Sequence, residues 1–152
     1  MDETFMNERG QIMSYDLILA GFIFLMIIVG TMSIYNTQKI RYEEQFSFAQ
    51  MQISGINALN TIISDQNCYN GGLANEKGNL SATKIICFSS QDYNTLKEKL
   101  AIENYEFYLK IYDNNTTNLE KGITTTKRAI ALQRVVQMGT TAKKINFIIY
   151  EQ

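Results

Sequence analysis

The sequence predicts an α+β chain. One long N-terminal helix crosses a membrane with its first half and packs with its second half on a small antiparallel β-sheet. Three observations carry this prediction: an unbroken apolar run from Leu17 to Tyr35, an amphipathic continuation at helical spacing to about Ser64, and alternating apolar segments later in the chain.

The polar side chains of the run are Thr31, Ser33 and the Tyr35 hydroxyl. As a helix it would reach about 28 Å, which roughly matches a bilayer core. Phe22, Phe24, Leu25, Met26, Ile27, Ile28 and Val29 point in every direction, whereas the core helix of a soluble protein usually keeps a polar face. A secretory signal peptide fits poorly too. The charged residues before the run are mostly acidic, the run is too long, and no A-x-A pattern follows it.

Beyond Thr31 neither Gly nor Pro stops the helix before Ser54. Tyr42, Phe46, Ala49, Ile53, Ile56, Leu59 and Ile63 recur at helical spacing, and Glu43, Gln50, Asn57 and Ser64 lie opposite. One helix is therefore expected from about Ile12 to Ser64, with a polar collar at 39–44. The Tyr42–Ile63 stripe is expected to lie against the sheet.

The segment 64–81 reads as a loop, with turn signals at Asn70-Gly71-Gly72 and Gly78-Asn79. Lys84–Phe88 reads as a short strand and Asp92–Leu100 as a short helix. Tyr105–Tyr112 alternates, with Tyr105, Phe107, Leu109 and Ile111 on one face. A polar loop follows over 113–122. Arg128–Val136 and Lys144–Tyr150 complete three strands, expected as an antiparallel meander.

Composition bounds the chemistry. The chain has 152 residues, 14 Lys and Arg against 15 Asp and Glu, and no His, Trp or Pro. Balanced charge argues against a broad electrostatic partner such as duplex nucleic acid. The absence of His removes the commonest general base and the commonest metal ligand. No nucleophile–base pair, phosphate loop or metal cluster is legible, so neither an enzyme nor a cofactor-dependent protein is expected. Two cysteines alone cannot build a zinc site.

Cys68 and Cys87 are either a disulfide that pins the loop after the long helix or two reduced thiols. An exported domain favours the bridge, worth about 3 kcal/mol in the loop-entropy model. Asn79, Asn114 and Asn115 begin N-x-S/T sequons, a pattern that also arises by chance in a chain rich in Asn and Thr. Tyr108 and Tyr112 would face away from Phe107, as a binding row or simply as a strand face. Lys127, Arg128, Arg134, Lys143 and Lys144 gather late in the chain, by default as a solvated face and otherwise as a contact for DNA or anionic lipid.

The order of parts at the start is distinctive: a short polar leader, Arg9-Gly10, Gln11, Ser14 and an acid, Asp16, then the apolar run. This resembles the class III signal peptide of archaeal type IV pilin-like proteins. "GLANEKGNLSATKI" and "YNTLKEKLAIENYEFYLKIY" also look like such proteins. The resemblance implies a leader over 1–10, cut between Gly10 and Gln11 by a prepilin peptidase. A filament-core and membrane helix over 11–38 and an extracytoplasmic pilin-like domain over 39–152 would follow. It implies other pilin subunits, an assembly ATPase, a polytopic platform protein and the membrane as partners. It also implies a location in the membrane first and on a surface filament, with a role such as adhesion, afterwards. The family's usual acid is a Glu at the fifth position after the cut; here that position is Tyr15, and Asp16 follows it. Asp16 could cap the helix, or pair with the new Gln11 amine of a neighbouring subunit. The rival reading is an uncleaved, single-span membrane protein with an extracytoplasmic binding or accessory domain.

Overall fold

A computed structural model describes residues 15–76, 78–113 and 116–152. The chain forms two compact units, Met1–Phe46 and Ser47–Gln152. Helix α1, assigned over Thr4–Ser64, is described from Tyr15 onward. Within the first unit every described residue, 15–46, is exposed. Two features suit this stretch to hydrocarbon. Over 17–35 its side chains are almost all apolar, and the Thr31 hydroxyl is satisfied locally by donating to the carbonyls of Ile27 and Ile28 at 2.9 Å, as is Thr37 beyond it by donating to that of Ser33 at 3.0 Å.

The second unit contains the end of α1, a 3-10 turn at Cys68–Asn70, and strands β1 (Ala74–Glu76) and β2 (Asn79–Leu80). Helices α2 (Ala82–Ser90) and α3 (Tyr93–Lys99) come next. Strands β3 (Tyr105–Tyr112), β4 (Thr117–Gly122), β5 (Ala129–Met138) and β6 (Thr141–Glu151) complete it. The sheet is mixed, in the order β1-β2-β5-β6-β3-β4. Among the described residues its one parallel contact is β2 with β5, through Asn79 and Gln137.

The α+β expectation holds at this level, with four corrections. First, Lys84–Phe88 is not a strand but the middle of α2. Ile85 and Phe88 are three apart and both buried, so a helix puts them on one face against the core, whereas a strand would split them. Second, the expected loop 113–122 contains β4, and the expected loop 64–81 contains β1 and β2. In β4 a single buried residue, Leu119, marks the core side, and its partners on β3 rather than its own alternation specify it.

Third, the sheet is not a meander. β3–β4 and β5–β6 are hairpins, and β6 lies between β5 and β3, pairing Ile149 with both Phe107 and Ile130. The last strand, which buries more residues than any other, thereby takes the centre, where both edges are paired. Fourth, α1 meets the sheet through a face rotated from the expected stripe. Met51, Ala58, Leu59 and Ile62 are buried, while Ile53 is 60% exposed and Ala49 is exposed. Small residues decide this. A Cβ on Gly55 would lie 3.1 Å from Leu132 Cδ1 and 3.2 Å from Ile149 Cγ2. Gly55 and Ala58 let the backbone approach the sheet more closely than the bulkier ridge could.

The core lies between this helix face, α2, α3 and one sheet face. Phe88, Phe107, Phe147, Leu73, Leu96 and Ile102 are essentially inaccessible. The Phe107 and Phe147 rings are 5.8 Å apart, a spacing at which tilted aromatic pairs attract beyond their burial. Gly122 ends β4 at φ +117°, where a side chain would run into the Phe107 carbonyl.

Candidate functional site: an apolar helix and a disulfide-tied domain

The strongest functional feature is the first unit. The helix from Tyr15 is long and apolar enough to cross a membrane, and none of its most apolar window is buried. Leu17 is 77% exposed and Val29 64%. The physical consequence is membrane association: apolar surface of this extent is stable only in lipid or against other protein. Asp16 stands at the apolar end of this stretch and is exposed; among the described residues no ion pair or hydrogen bond holds it. The Gly10–Gln11 pair lies outside the described residues, as do Asn114 and Asn115. Near the end of the first unit Lys39 and Glu43 lie 3.9 Å apart across one helical turn, and the Tyr42 and Phe46 rings stack.

In the second unit Cys68 and Cys87 form a disulfide, their Cα atoms 6.2 Å apart, tying the turn after α1 to α2. The 3-10 turn begins with Asn67, whose side chain accepts from the Tyr69 N–H. Asn79 is not in a loop but in β2, half-buried and paired with Gln137.

Polar side chains also converge between α3 and β3. Asp92 caps α3 by accepting from the N–H groups of Asn94 and Thr95 at 3.0 and 3.2 Å. The helix then presents Tyr93 and Lys97 to Glu106. The Tyr93 hydroxyl donates to Oε2 of Glu106 at 2.6 Å and accepts from the Phe107 N–H at 2.9 Å. Lys97 Nζ reaches Oε1 at 3.0 Å, and Gln152 Nε2 donates to the same oxygen at 3.2 Å. Burial and the bond to Glu106 push the Tyr93 phenol well above its usual range. Burial pushes Glu106 up, but the bonds from Tyr93, Lys97 and Gln152 outweigh it and hold the carboxyl below its ordinary value. Each group is stabilised in its resting form, so the cluster fastens α3 to the sheet and offers no poised acid or base.

Elsewhere Lys143 is buried and paired with Asp113, which removes it from the basic surface expected of 127–144. The pairing joins the start of β6 to the end of β3, a long-range contact that the sequence does not signal. Tyr108 does lie on the sheet face away from the core; it donates to Glu120 at 2.7 Å, which with burial raises its phenol to about 12. Two surface clefts of about 400 Å³ lie near α3, one lined by Gln50, Ile53, Ser54, Glu103 and Tyr105, the other by Asn94, Lys97, Glu98, Glu103 and Gln152. Among the described residues no three of His, Cys, Asp and Glu gather to hold a metal ion.

No family model matches the chain, no curated protein is detectably similar to it, and no solved structure resembles it.

Proposed function

We propose that the chain is a subunit of an archaeal type IV pilus-like surface filament, made as a membrane precursor and matured by a prepilin peptidase between Gly10 and Gln11. The observation that carries this reading is the described helix of the first unit. Over 17–35 it is apolar on every side and covered on none, so it needs lipid before assembly and other helices afterwards. The disulfide-tied second unit supports it, because such a bridge persists in an exported compartment. The leader pattern at Arg9, Gly10 and Gln11 supports it from the sequence.

On this reading the apolar helices form the filament core and the sheet domains its outside. An assembly ATPase and a platform membrane protein draw the mature subunits from the bilayer. Asp16 is the group that the new amine of a neighbouring Gln11 would neutralise, which would set the register between subunits.

The test is Gly10→Val. The variant is expected to remain in the membrane at precursor mass, with filaments lost. Normal maturation of that variant would refute the peptidase route. The chain would then stand as an uncleaved single-span protein with an accessory domain.

A further inference from the structure

The sheet has two unpaired edges. At one end β4 pairs with β3 alone. The Ile123 N–H donates to Phe107 and the β3–β4 register runs through Leu109 with Lys121, so the backbone groups of Glu120 point away from β3. At the other end β5 pairs with β6 along its whole length but with β2 only at Gln137. The Arg128 carbonyl accepts from Glu151 on the β6 side, and the Gln137 N–H donates to Gly78 on the opposite side. Alternation therefore turns the N–H and C=O groups of Ala129, Ala131, Gln133 and Val135 outward, and they find no hydrogen-bond partner among the described residues.

This β5 edge carries few of the devices that usually blunt an edge. It has no Pro, its one core-side charge is Arg134, and Val135 is 72% exposed. We infer that β4 of one copy of this chain adds to the β5 edge of a second copy, continuing the sheet from subunit to subunit.

Two relations select a second copy as the occupant. The first is direction. β5, β6, β3 and β4 are successively antiparallel, so β4 runs opposite to β5. A neighbour in the same orientation therefore presents its edge antiparallel, the arrangement with straight hydrogen bonds. The second is phase. Glu120 lies across β3 from Lys110, on the face away from buried Leu119. Gln133 and Val135 lie on the corresponding face of β5, away from Leu132, which packs by Gly55. The outward-pointing residues of both edges share the outer face, so the joined sheet keeps core side with core side and needs no bulge. Unlike edges that join head to tail make an open array, as a filament requires. The inference rests on the filament reading only for the shared orientation of neighbours.

The experiment uses the full chain in membranes of expressing cells, carrying Glu120→Cys and Gln133→Cys, with a bis-maleimide of about 8 Å span as the probe. Both positions are exposed, and the native cysteines are spent in their own disulfide. Three strand spacings, about 14 Å, separate the two sites within one copy, too far for the linker. The double variant is expected to give a ladder of multimers and each single variant none. Adding Val135→Pro, which removes an outward N–H and no ladder bond, is expected to abolish the ladder while Cys68–Cys87 still forms. Dimers from Gln133→Cys alone would overturn the inference in favour of β5–β5 pairing. A folded double variant with no ladder would overturn it outright. A ladder from a chain that still begins at Met1 and builds no filament would sustain edge pairing and refute the filament reading. Filaments of chains beginning at Gln11 with no ladder would do the reverse.

Discussion

Lys97 on α3 is buried and ends 3.0 Å from the Glu106 carboxylate on β3, which also receives the Tyr93 hydroxyl at 2.6 Å. An ammonium withdrawn from water in this way is tolerable only while its partner is ionised and close. Glu106→Ala leaves the charge unpaired and is expected to cost about 2–3 kcal/mol, since the carboxylate side is partly open to solvent. The check is chemical denaturation of the full chain in detergent, followed by near-UV circular dichroism. An unchanged midpoint would mean that the ion pair contributes nothing.

The same pair sets an acid limit. The Glu106 carboxyl is held below its ordinary value of 4.5 in the folded state. Its contribution is therefore fully present above the unfolded value and is lost as pH falls through the lower, folded one. The domain is expected to lose stability below about pH 4.5, and Glu106→Gln to flatten that limb while starting from a lower plateau. Tyr93 acts at the other end. Its raised phenol makes its contribution complete below its ordinary value of 10.0, with loss only at more alkaline pH. Stability measured across pH in both chains tests this, and parallel curves at acid pH would contradict it.

Gly55 fixes how closely α1 lies on the sheet. Gly55→Val adds three carbons where Leu132 and Ile149 stand 3.1 and 3.2 Å from the first of them. The expected loss is about 1–3 kcal/mol, despite removal of a helix-weakening glycine. A gain in thermal midpoint would show that the helix shifts freely.

Replacing Cys68 and Cys87 together by Ser should lower stability by about 3 kcal/mol in the loop-entropy account, and reduction of the native protein should match it. A double variant as stable as the oxidised protein would make the bridge dispensable.

Much of this fold was legible because strong periodicities survive packing. The end of α1 at Ser64, the strands around Phe107 and Phe147 and the short helix carrying Leu96 all follow from spacing. What was not legible depends on partners distant in sequence. KIICF is rich in β-branched residues yet folds as a helix, because Ile85 and Phe88 must share a side. The Tyr42–Ile63 stripe and the Met51–Ile62 face are adjacent ridges of one helix, and the choice falls to Gly55 and Ala58, which a hydrophobic pattern undervalues. The pairing of Lys143 with Asp113 and of Lys97 with Glu106 leaves no local trace at all. The apolar helix, by contrast, was plain in the sequence, since a segment that needs no intramolecular cover carries its own solvent preference.

The central claim is that this helix is kept as an assembly element after a cut at Gly10. Intact mass and N-terminal sequencing of the chain from native membranes and sheared surface material test it most directly. The account predicts a first residue of Gln11 and the corresponding loss of mass. A chain that still begins at Met1, or at Asp2 after loss of the initiator, would contradict it.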